Sequence, residues 1–454
     1  MSIPFSQGKL QGKERKNVLQ AVQEQAKAAA RAAIRPVLQE FLETEVCAKL
    51  GREKGEARHI SSQLREIDWQ CGHCGCQDAN QFTRDGHYRR GLSTGWGHLS
   101  DLRVPMLECQ QCQHDVVTQF TILEKYKRFW MDLDQDVLFG SGFCESLRHL
   151  QERWSATIEG SVGLRTLNER INQIEALASR VHTEPITDVL PVIQLDGIWV
   201  TIQSQHEKTK PDKRHRQRKK HSGKKMVVLV ALGFWANGSR EVLDWQIARS
   251  EDHQEWELLV QRLWERGCRP EQGLQLVVRD GSGGLGEALA LVYGSTVLEQ
   301  RCIFHKLHNV AAKCRSELKG KEKRDLRKQL MEQAAAIYQA TTGSSARTLL
   351  VQWGKQWREQ APQSVATLER DFEQTLVFYA LSGLTLEWIR TTSLLERTNR
   401  ELRRKFCQVV TFGSHKGAEV AVYLQVQRLH ARWSGESWWD TSHALYFEMR
   451  NLHS

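Results

Sequence analysis

The sequence has no hydrophobic run long enough to cross a lipid bilayer. Its longest apolar stretch, from Met226 to Ala236, is about half of the ~20 residues that a membrane-spanning helix needs. The first residues, MSIPFSQGKLQGKERKNVLQ, also lack the apolar segment of a signal peptide. We therefore expect a soluble cytoplasmic protein rather than a membrane-bound or secreted one.

The composition excludes wholesale disorder and a scaffold held together by disulfides. Hydrophobic residues make up 40% and charged residues 26% of the 454 residues, which is enough for roughly two to four globular domains. The 11 cysteines are an odd number and include two Cys-x-x-Cys pairs. This pattern favours a reducing compartment and metal binding over disulfide bonds.

Positive charge is concentrated in one segment. Ten Lys or Arg and two acidic residues lie between His206 and Lys225, which gives +8 of the chain's net +10. Such a segment on a nearly neutral body is typical of a protein that binds phosphate backbones, although many charge runs are simply solvated. We predict a large DNA-binding loop at a hairpin tip. Its candidate contact residues are Arg214, Arg216, Arg218, Lys219 and Lys220.

The first part of the chain predicts two small modules. Residues 1–65 are rich in Ala, Gln, Leu and Glu, and they predict helices broken at Pro36, in a plain bundle or a dimerisation arm. Residues 66–125 hold the two Cys-x-x-Cys pairs, joined by short β-prone runs with glycines at the turns. This arrangement predicts a zinc-ribbon-like module with one structural Zn²⁺. The predicted ligands are Cys71, Cys74, Cys109 and Cys112, and Cys76, His73 or His114 could each replace one of them.

Residues 126–185 predict a helix-turn-helix-like DNA-binding region. Its short helices are separated by glycines, and the last one begins near Ser161. A small helical bundle has the same pattern, so the pattern alone does not choose between the two. The candidate DNA contacts on the last helix are Arg165, Asn168 and Arg170.

From residue 187 the pattern changes to strands. PVIQLDGIWVTIQ, MVVLVALGFWA and SREVLDWQIAR are three successive strand-like runs, and helices then alternate with strands. That order predicts a mixed fold, α+β or α/β, with a ribonuclease H-like catalytic core in residues 186–316 and 389–454. Residues 206–225 are a basic hairpin insertion in this core, and residues 317–388 are an inserted helical domain. The predicted core anchors of the inserted domain are Trp353, Trp357 and Trp388.

Three acidic residues are placed to share a catalytic metal site. Asp196 lies in the first strand and Asp280 ends the fourth, and these strands are neighbours in a ribonuclease H-like sheet. Two carboxylates held that close repel each other unless a hard cation such as Mg²⁺ lies between them. Glu396, on the last long helix, is the best candidate for the third acid. The polar residues that share its helix face and would support the site are Asn399, Arg400 and Arg403.

The segment GSGGLG at residues 281–286 supports a different interpretation. It matches the dinucleotide-binding fingerprint G-x-G-x-x-G, follows a strand and opens a helix, and Glu299 lies in the next strand. However, the strands before it form a meander, and Asp280 would direct its negative charge at the pyrophosphate. A nicotinamide-dependent enzyme is therefore the weaker alternative.

The motifs of the second half resemble those of a known family. VIQLDGIWV, VVRDGSGGLGEAL, QRCIFHKLHNVAAK and RTTSLLERTNRELRRKF are similar, in order and spacing over about residues 187–425, to the Mutator-type insertion-sequence transposases of bacteria. The resemblance implies a DDE transposase whose acidic triad is Asp196, Asp280 and Glu396. It also implies that Cys302 and His305 form the family's Cys-x-x-His signature, which we interpret as support for the active site. The basic hairpin insertion and Arg279 depart from the usual family pattern.

The function that follows is binding of the terminal inverted repeats of an insertion sequence, with metal-dependent DNA strand cleavage and strand transfer. The expected cofactors are two Mg²⁺ ions held by the triad, for which Mn²⁺ can substitute, and one structural Zn²⁺. The expected partner is double-stranded DNA, as transposon ends and target, bound by a homodimer or higher homo-oligomer on the bacterial nucleoid. Two further alternatives are a domesticated DNA-binding protein without catalysis and a ribonuclease H-like nuclease.

Overall fold

The chain forms two compact units. The first comprises Met1–Gly140 and Leu147–Arg170, and the second comprises Ser141–Ser146 and Ile171–Ser454. The predicted helical region 126–185 is therefore divided between them. The computed structural model describes residues 12–57, 63–123, 125, 127–158, 160–211, 217–409 and 411–452. Within these residues, no helix combines the length and the apolar character that a membrane span requires.

The first unit begins with one long helix, α1 (Gly12–Leu50). The prediction of helices broken at Pro36 is wrong, because α1 continues through this proline. A proline inside a helix costs about 3 kcal/mol or more through a lost hydrogen bond and a steric clash. Packing of the following turns offsets that cost. The buried residues of those turns, which pack in one core with the β-strands of the unit, are Leu38, Leu42, Val46 and Leu50.

A four-stranded sheet follows α1. Its strands are β1 (Gln70–Cys71), β2 (Phe82–Thr94), β3 (Gly97–Cys109) and β4 (His114–Val117), and their order in the sheet is β1-β4-β3-β2. Cys71 pairs with Val116 and Cys109 pairs with His114, so strands β1 and β3 both end against β4. This pairing brings the two Cys-x-x-Cys segments side by side.

Four short helices connect the sheet of the first unit with the second unit. They are α2 (Met131–Gly142), α3 (Leu147–Ile158), α4 (Leu164–Asn172) and α5 (Glu175–Val181). Helices α3 and α4 occupy the place of the predicted helix-turn-helix, and α4 is amphipathic, with Leu167 buried.

The second unit is built on a five-stranded sheet in the order β7-β6-β5-β8-β9. Strands β5, β6 and β7 form the predicted antiparallel meander, whereas β8 and β9 lie parallel to β5 and to each other. Apolar residues of α6 and α7 pack against the sheet in one core. The strands and helices of this part are β5 (Val192–Pro211), β6 (Gln217–Phe234), β7 (Arg240–Ala248), α6 (His253–Arg266), β8 (Leu276–Arg279), α7 (Gly283–Val292) and β9 (Leu298–Arg301).

Strands β5 and β6 continue past the sheet as a two-stranded ribbon. The prediction of a large loop over residues 206–225 is wrong for the described backbone, because Pro211 still pairs with Gln217 and Lys210 with Arg218. An antiparallel pair can continue without a hydrophobic core, since each added residue pair forms its backbone hydrogen bonds locally. Residues 212–216, which include Arg214 and Arg216, lie outside the described residues.

The helical insertion lies between β9 and the last long helices. Trp353 and Trp357 are buried anchors, as predicted. Trp388 is only half-buried and stacks on Phe234 of β6, with 5.2 Å between ring centroids, so it contacts the sheet as well. The helices from α8 onwards are α8 (Ile303–Glu317), α9 (Arg324–Ile337), α10 (Gly343–Trp357), α11 (Pro362–Glu369), α12 (Leu386–Arg390), α13 (Ser393–Val409), α14 (His415–Ser434) and α15 (Trp438–Asn451).

Candidate active site

Asp196 and Asp280 lie on neighbouring strands of the second unit. Leu195 of β5 pairs with Arg279 of β8. Asp196 and Asp280 are the next residues along the two parallel strands, so they lie at the same level of the sheet. The side-chain amide of Asn399 donates a hydrogen bond from Nδ2 to Asp196 Oδ2 at 2.9 Å. The backbone N–H of Ser282, the N-cap of α7, donates to Asp280 Oδ1 at 2.8 Å. Both carboxylates are thus oriented by the surrounding structure.

The electrostatics show that the two aspartates interact. Burial raises the pKa of Asp196 to about 6, and the negative charge of Asp280 adds to this effect. The positive charge of His305 and the hydrogen bond from Asn399 act in the opposite direction. The pair therefore carries negative charge that a cation would stabilise.

Gln194 fixes the start of helix α13 to the strand that carries Asp196. This glutamine is fully buried, and its Nε2 donates to the backbone oxygens of Trp388 and Thr391 at 2.9 Å each. Its Oε1 accepts a hydrogen bond from Leu395 N at 3.2 Å. Three hydrogen bonds from one side chain therefore determine where Glu396, in the first turn of α13, is placed relative to Asp196.

The side chain of Glu396 contacts His305 and Thr392. Its Oε1 lies 3.7 Å from His305 Nε2 and accepts a hydrogen bond from Thr392 Oγ1 at 3.4 Å. A hydrogen bond with the Cys302 thiol raises the pKa of His305 to about 9, against the effect of burial, and the charges of Asp196 and Glu396 add to the rise. A positive His305 therefore attracts Glu396.

The three predicted acids do not form one tight cluster. Among the described residues, the ligand atoms of Cys302, His305 and Glu396 all lie within 4.8 Å of one another, whereas those of Asp196, Asp280 and Glu396 do not. Instead, Glu396 Oε1 lies 3.7 Å from His305 Nε2, a partner of opposite charge when the imidazole is protonated. The structure thus groups Glu396 with Cys302 and His305.

A fourth acid, Glu251, was missed from the sequence. It lies between β7 and α6, and a Cβ atom placed on Gly197 would lie 2.7 Å from its Oε1. Burial raises the pKa of Glu251, and the charges of Asp280 and Asp196 raise it further. The sequence feature that could have identified it is an acidic residue between the third strand and the next helix. Asp252, the next residue, is the N-cap of α6, and acidic residues at this position are explained by helix capping alone.

The predicted DNA-contact residues have different environments. Arg165 and Asn168 are exposed on α4, and Arg165 forms an ion pair with Glu169 at 2.7 Å. The prediction that Arg170 contacts DNA is corrected by the structure. Arg170 forms an ion pair with Asp134 at 2.8 Å, and the two side chains are 13% and 6% exposed. An arginine committed to a buried aspartate is not available to DNA. Arg400 and Arg403 are exposed on α13.

The four predicted zinc ligands converge in the first unit. Cys71 Sγ lies 3.2 Å from Cys112 Sγ, Cys74 Sγ lies 3.8 Å from Cys109 Sγ, and all four sulfurs lie within 4.8 Å of one another. Tetrahedral coordination at a Zn–S distance of ~2.3 Å places sulfurs about 3.8 Å apart, so the cluster fits Zn²⁺. Burial opposes ionisation of Cys71, but hydrogen bonds from the backbone of Cys74 and His73 and from neighbouring thiols lower its pKa to about 6.

The histidines near the cysteine cluster form a group of their own. The rings of His73 and His114 stack with 4.0 Å between centroids. One ring nitrogen of each histidine and the Cys112 sulfur all lie within 4.8 Å of one another. Among the described residues, Cys76 does not belong to either group.

The glycine-rich turn does not have the features of a dinucleotide site. Asp280 Oδ1 already accepts the N–H of Ser282 at the start of α7, where a pyrophosphate would have to bind. In a dinucleotide site, Glu299 would accept a hydrogen bond from the ribose hydroxyl. Here it forms an ion pair with Arg279 at 2.8 Å instead. These contacts disfavour the nicotinamide alternative.

The fold and the site define a mixed α/β protein with an acidic centre at its sheet. The family description "Transposase, Mutator family" matches residues 9–436. The chain therefore belongs to the Mutator family of transposases, which are DNA strand transferases.

Several known proteins are similar to this chain. The transposase for insertion sequence element ISRM5 of Rhizobium meliloti (strain 1021) is 25% identical, over 89% of this chain and 88% of that protein. The transposase for IS256 in transposon Tn4001 of Staphylococcus aureus is 24% identical, over 78% and 82% of the two chains. The Drosophila P element transposase strand transfer complex aligns over 67% of this chain and 80% of that chain, at 9% identity and a TM-score of 0.27. That structural similarity is too low to support a conclusion.

Proposed function

We propose that this chain is a DDE transposase, which binds the terminal inverted repeats of its insertion sequence and cleaves and joins DNA strands in a ribonuclease H-like core. The observation that carries the proposal is the register of β5 and β8. It places Asp196 beside Asp280, while Gln194 fixes the helix of Glu396 to the same strand. The sheet order β7-β6-β5-β8-β9, with three antiparallel and two parallel strands, supports the assignment of the core.

The residues present fit a hard divalent cation. Carboxylate and amide oxygens are the ligands that Mg²⁺ prefers. Asn399 Oδ1, beside Asp196, is buried and has no hydrogen-bond partner among the described residues. Mg²⁺ held by Asp196, Asp280 and Glu396 would activate water or a 3′-hydroxyl and stabilise the leaving oxygen of a phosphodiester.

The protein's own groups prepare this site before any cation binds. Asn399 holds one oxygen of Asp196, and Ser282 N holds one oxygen of Asp280. Such fixed contacts reduce the reorganisation that accompanies the reaction. His305 partly neutralises the negative charge of Glu396 before a cation binds.

DNA binding is assigned to two regions. The basic ribbon formed by the ends of β5 and β6 lies on the strand that carries Asp196, and we assign it contacts with phosphates of the cleaved or target strand. Recognition of the terminal repeats is assigned to α4, on which Arg165 and Asn168 are exposed. The cysteine cluster Cys71, Cys74, Cys109 and Cys112 is assigned one structural Zn²⁺, which stabilises the β-sheet of the first unit.

The test is an end-cleavage assay in which DNA binding is measured in parallel. Asp196→Asn, Asp280→Asn and Glu396→Gln should each abolish strand cleavage and leave the affinity for DNA largely unchanged, because they neutralise one carboxylate only. Glu401→Gln is the matched control, since this acid lies on α13 but pairs with Arg404. A triad variant that cleaves at the rate of Glu401→Gln would remove that residue from the active site.

A further inference from the structure

Cys302, His305 and Glu396 converge on one point at the edge of the proposed active site. Cys302 is the N-cap of α8 and His305 lies three residues later, so the helix start places both on one side. Glu396 comes from α13, almost a hundred residues further along the chain. One sulfur, one nitrogen and one oxygen ligand atom of these residues lie within 4.8 Å of one another. The fold thus adds a carboxylate from a distant part of the chain to the Cys-x-x-His pair.

The donor set selects a class of metal. A thiol, an imidazole and a carboxylate are the ligands of Zn²⁺ and similar thiophilic cations, whereas Mg²⁺ binds oxygen and avoids sulfur. Tetrahedral zinc with these ligands keeps their atoms about 3.4–3.6 Å apart. His305 Nε2 and Glu396 Oε1 are already 3.7 Å apart, so only small side-chain shifts are needed.

The surroundings favour an ionised sulfur and an accessible site. The backbone N–H of Thr392 donates a hydrogen bond to Cys302 Sγ at 3.3 Å, and Thr392 Oγ1 lies within hydrogen-bonding distance of both Cys302 Sγ and Glu396 Oε1. Such outer contacts orient a metal ligand and hold it in place. Cys302 is fully buried, but the side chains of His305 and Glu396 are 30% and 26% exposed, which leaves a route for an ion from solvent.

We propose that Cys302, His305 and Glu396 form a binding site for a thiophilic divalent cation, Zn²⁺ in the first place, which competes with Mg²⁺ for Glu396. Three protein ligands leave a fourth position for water, as in open zinc sites. The bound ion holds Glu396 beside Cys302 and His305, so that this carboxylate cannot join the aspartates on Mg²⁺, and strand cleavage is inhibited. The competition, but not the binding site, rests on the proposed role of Glu396 in catalysis.

The binding site is tested with Co²⁺ as a spectroscopic substitute for Zn²⁺ on the full-length chain. We expect Cys302→Ser and His305→Ala each to bind one equivalent fewer than the wild type and to lose one sulfur- or nitrogen-ligated cobalt signal. Cys314→Ser is the matched control, because Cys314 is a second buried cysteine of α8 and lies in no ligand group among the described residues. Cobalt bound by the cysteine cluster of the first unit is common to all of these proteins and cancels in the comparison.

Two outcomes overturn the proposal. If Cys302→Ser and His305→Ala both bind as much Co²⁺ as Cys314→Ser, the site does not exist. The second outcome concerns strand cleavage at a constant Mg²⁺ concentration. If Co²⁺ binds at the site but Zn²⁺ inhibits the wild type no more strongly than it inhibits the residual activity of His305→Ala, the proposed competition with Mg²⁺ is wrong. Glu396→Gln separates this from the proposed function, since it should lose the same equivalent of Co²⁺ whether or not Glu396 is catalytic.

Discussion

Two buried glutamines with the same hydrogen-bonding pattern allow positioning of the active site to be separated from stability. Gln194 donates to two backbone oxygens and accepts from one backbone N–H at the start of α13. Gln300 of β9 likewise donates to the backbone oxygens of Arg301 and Thr375 and accepts from Phe378 N, so it connects β9 with the helical insertion. Both side chains are fully buried.

Replacement of either glutamine by methionine preserves volume and removes all three hydrogen bonds. A buried polar group without a partner costs about 1–3 kcal/mol, so three give about 3–9 kcal/mol. We expect the lower end of that range, because carbonyl oxygens can accept from other donors after small shifts. Chemical denaturation should therefore show similar losses of stability for Gln194→Met and Gln300→Met.

Strand cleavage should distinguish the two variants. Of these two glutamines, Gln194 is the one that connects the strand of Asp196 with the helix of Glu396. A displacement of about 1 Å at a reacting centre can reduce a rate about 100-fold. Single-turnover cleavage, corrected for the folded fraction, should fall by about that factor in Gln194→Met and by much less in Gln300→Met. Equal losses in the two variants would refute the positioning role of Gln194.

Three further predictions follow from the other parts of the structure. Purified protein should contain about one Zn²⁺ per chain in the first unit, which Cys109→Ser loses and Cys76→Ser retains in elemental analysis, with loss of folding of that unit. Glu251→Gln should raise the Mg²⁺ concentration needed for half-maximal cleavage by about 10-fold or more, since it removes negative charge beside both aspartates; an unchanged requirement would exclude Glu251 from the site. Neutralising five cations of the basic segment 206–225 should weaken binding to cognate and unrelated DNA equally and reduce the salt slope by up to ~0.9 per lost phosphate contact; loss of preference for cognate ends alone would show that this segment reads sequence. The residues neutralised are Arg214, Arg216, Arg218, Lys219 and Lys220.

The order of strands in the second unit was predictable because it follows from local patterns. Each of the runs around Asp196 and Asp280 is apolar and bounded by turn residues, and a meander followed by alternating helices leaves few possible sheets. Placement of Asp196 beside Asp280 then needed only the neighbouring positions of their strands. The role of Gln194 was not predictable, because a lone glutamine in an apolar run gives no indication of its tertiary partners.

Features that depend on tertiary balance could not be predicted from the sequence. Pro36 was expected to end a helix, but packing of the turns after it against the sheet outweighs the local penalty. Arg170 was expected to face DNA, but the buried Asp134 pairs with it, and that partner lies far away in sequence. In each case the deciding contact joins residues that no periodicity connects.

The central claim is that Asp196, Asp280 and Glu396 together make this chain a metal-dependent DNA strand transferase. Its most direct test is single-turnover cleavage of the chain's own flanking transposon ends with Mg²⁺, with Ca²⁺ and with no divalent cation. We expect cleavage to a free 3′-hydroxyl in Mg²⁺ only, binding without cleavage in Ca²⁺, and no product in Mg²⁺ from Asp280→Asn. Cleavage without a divalent cation, or undiminished cleavage by Asp280→Asn, would contradict the claim.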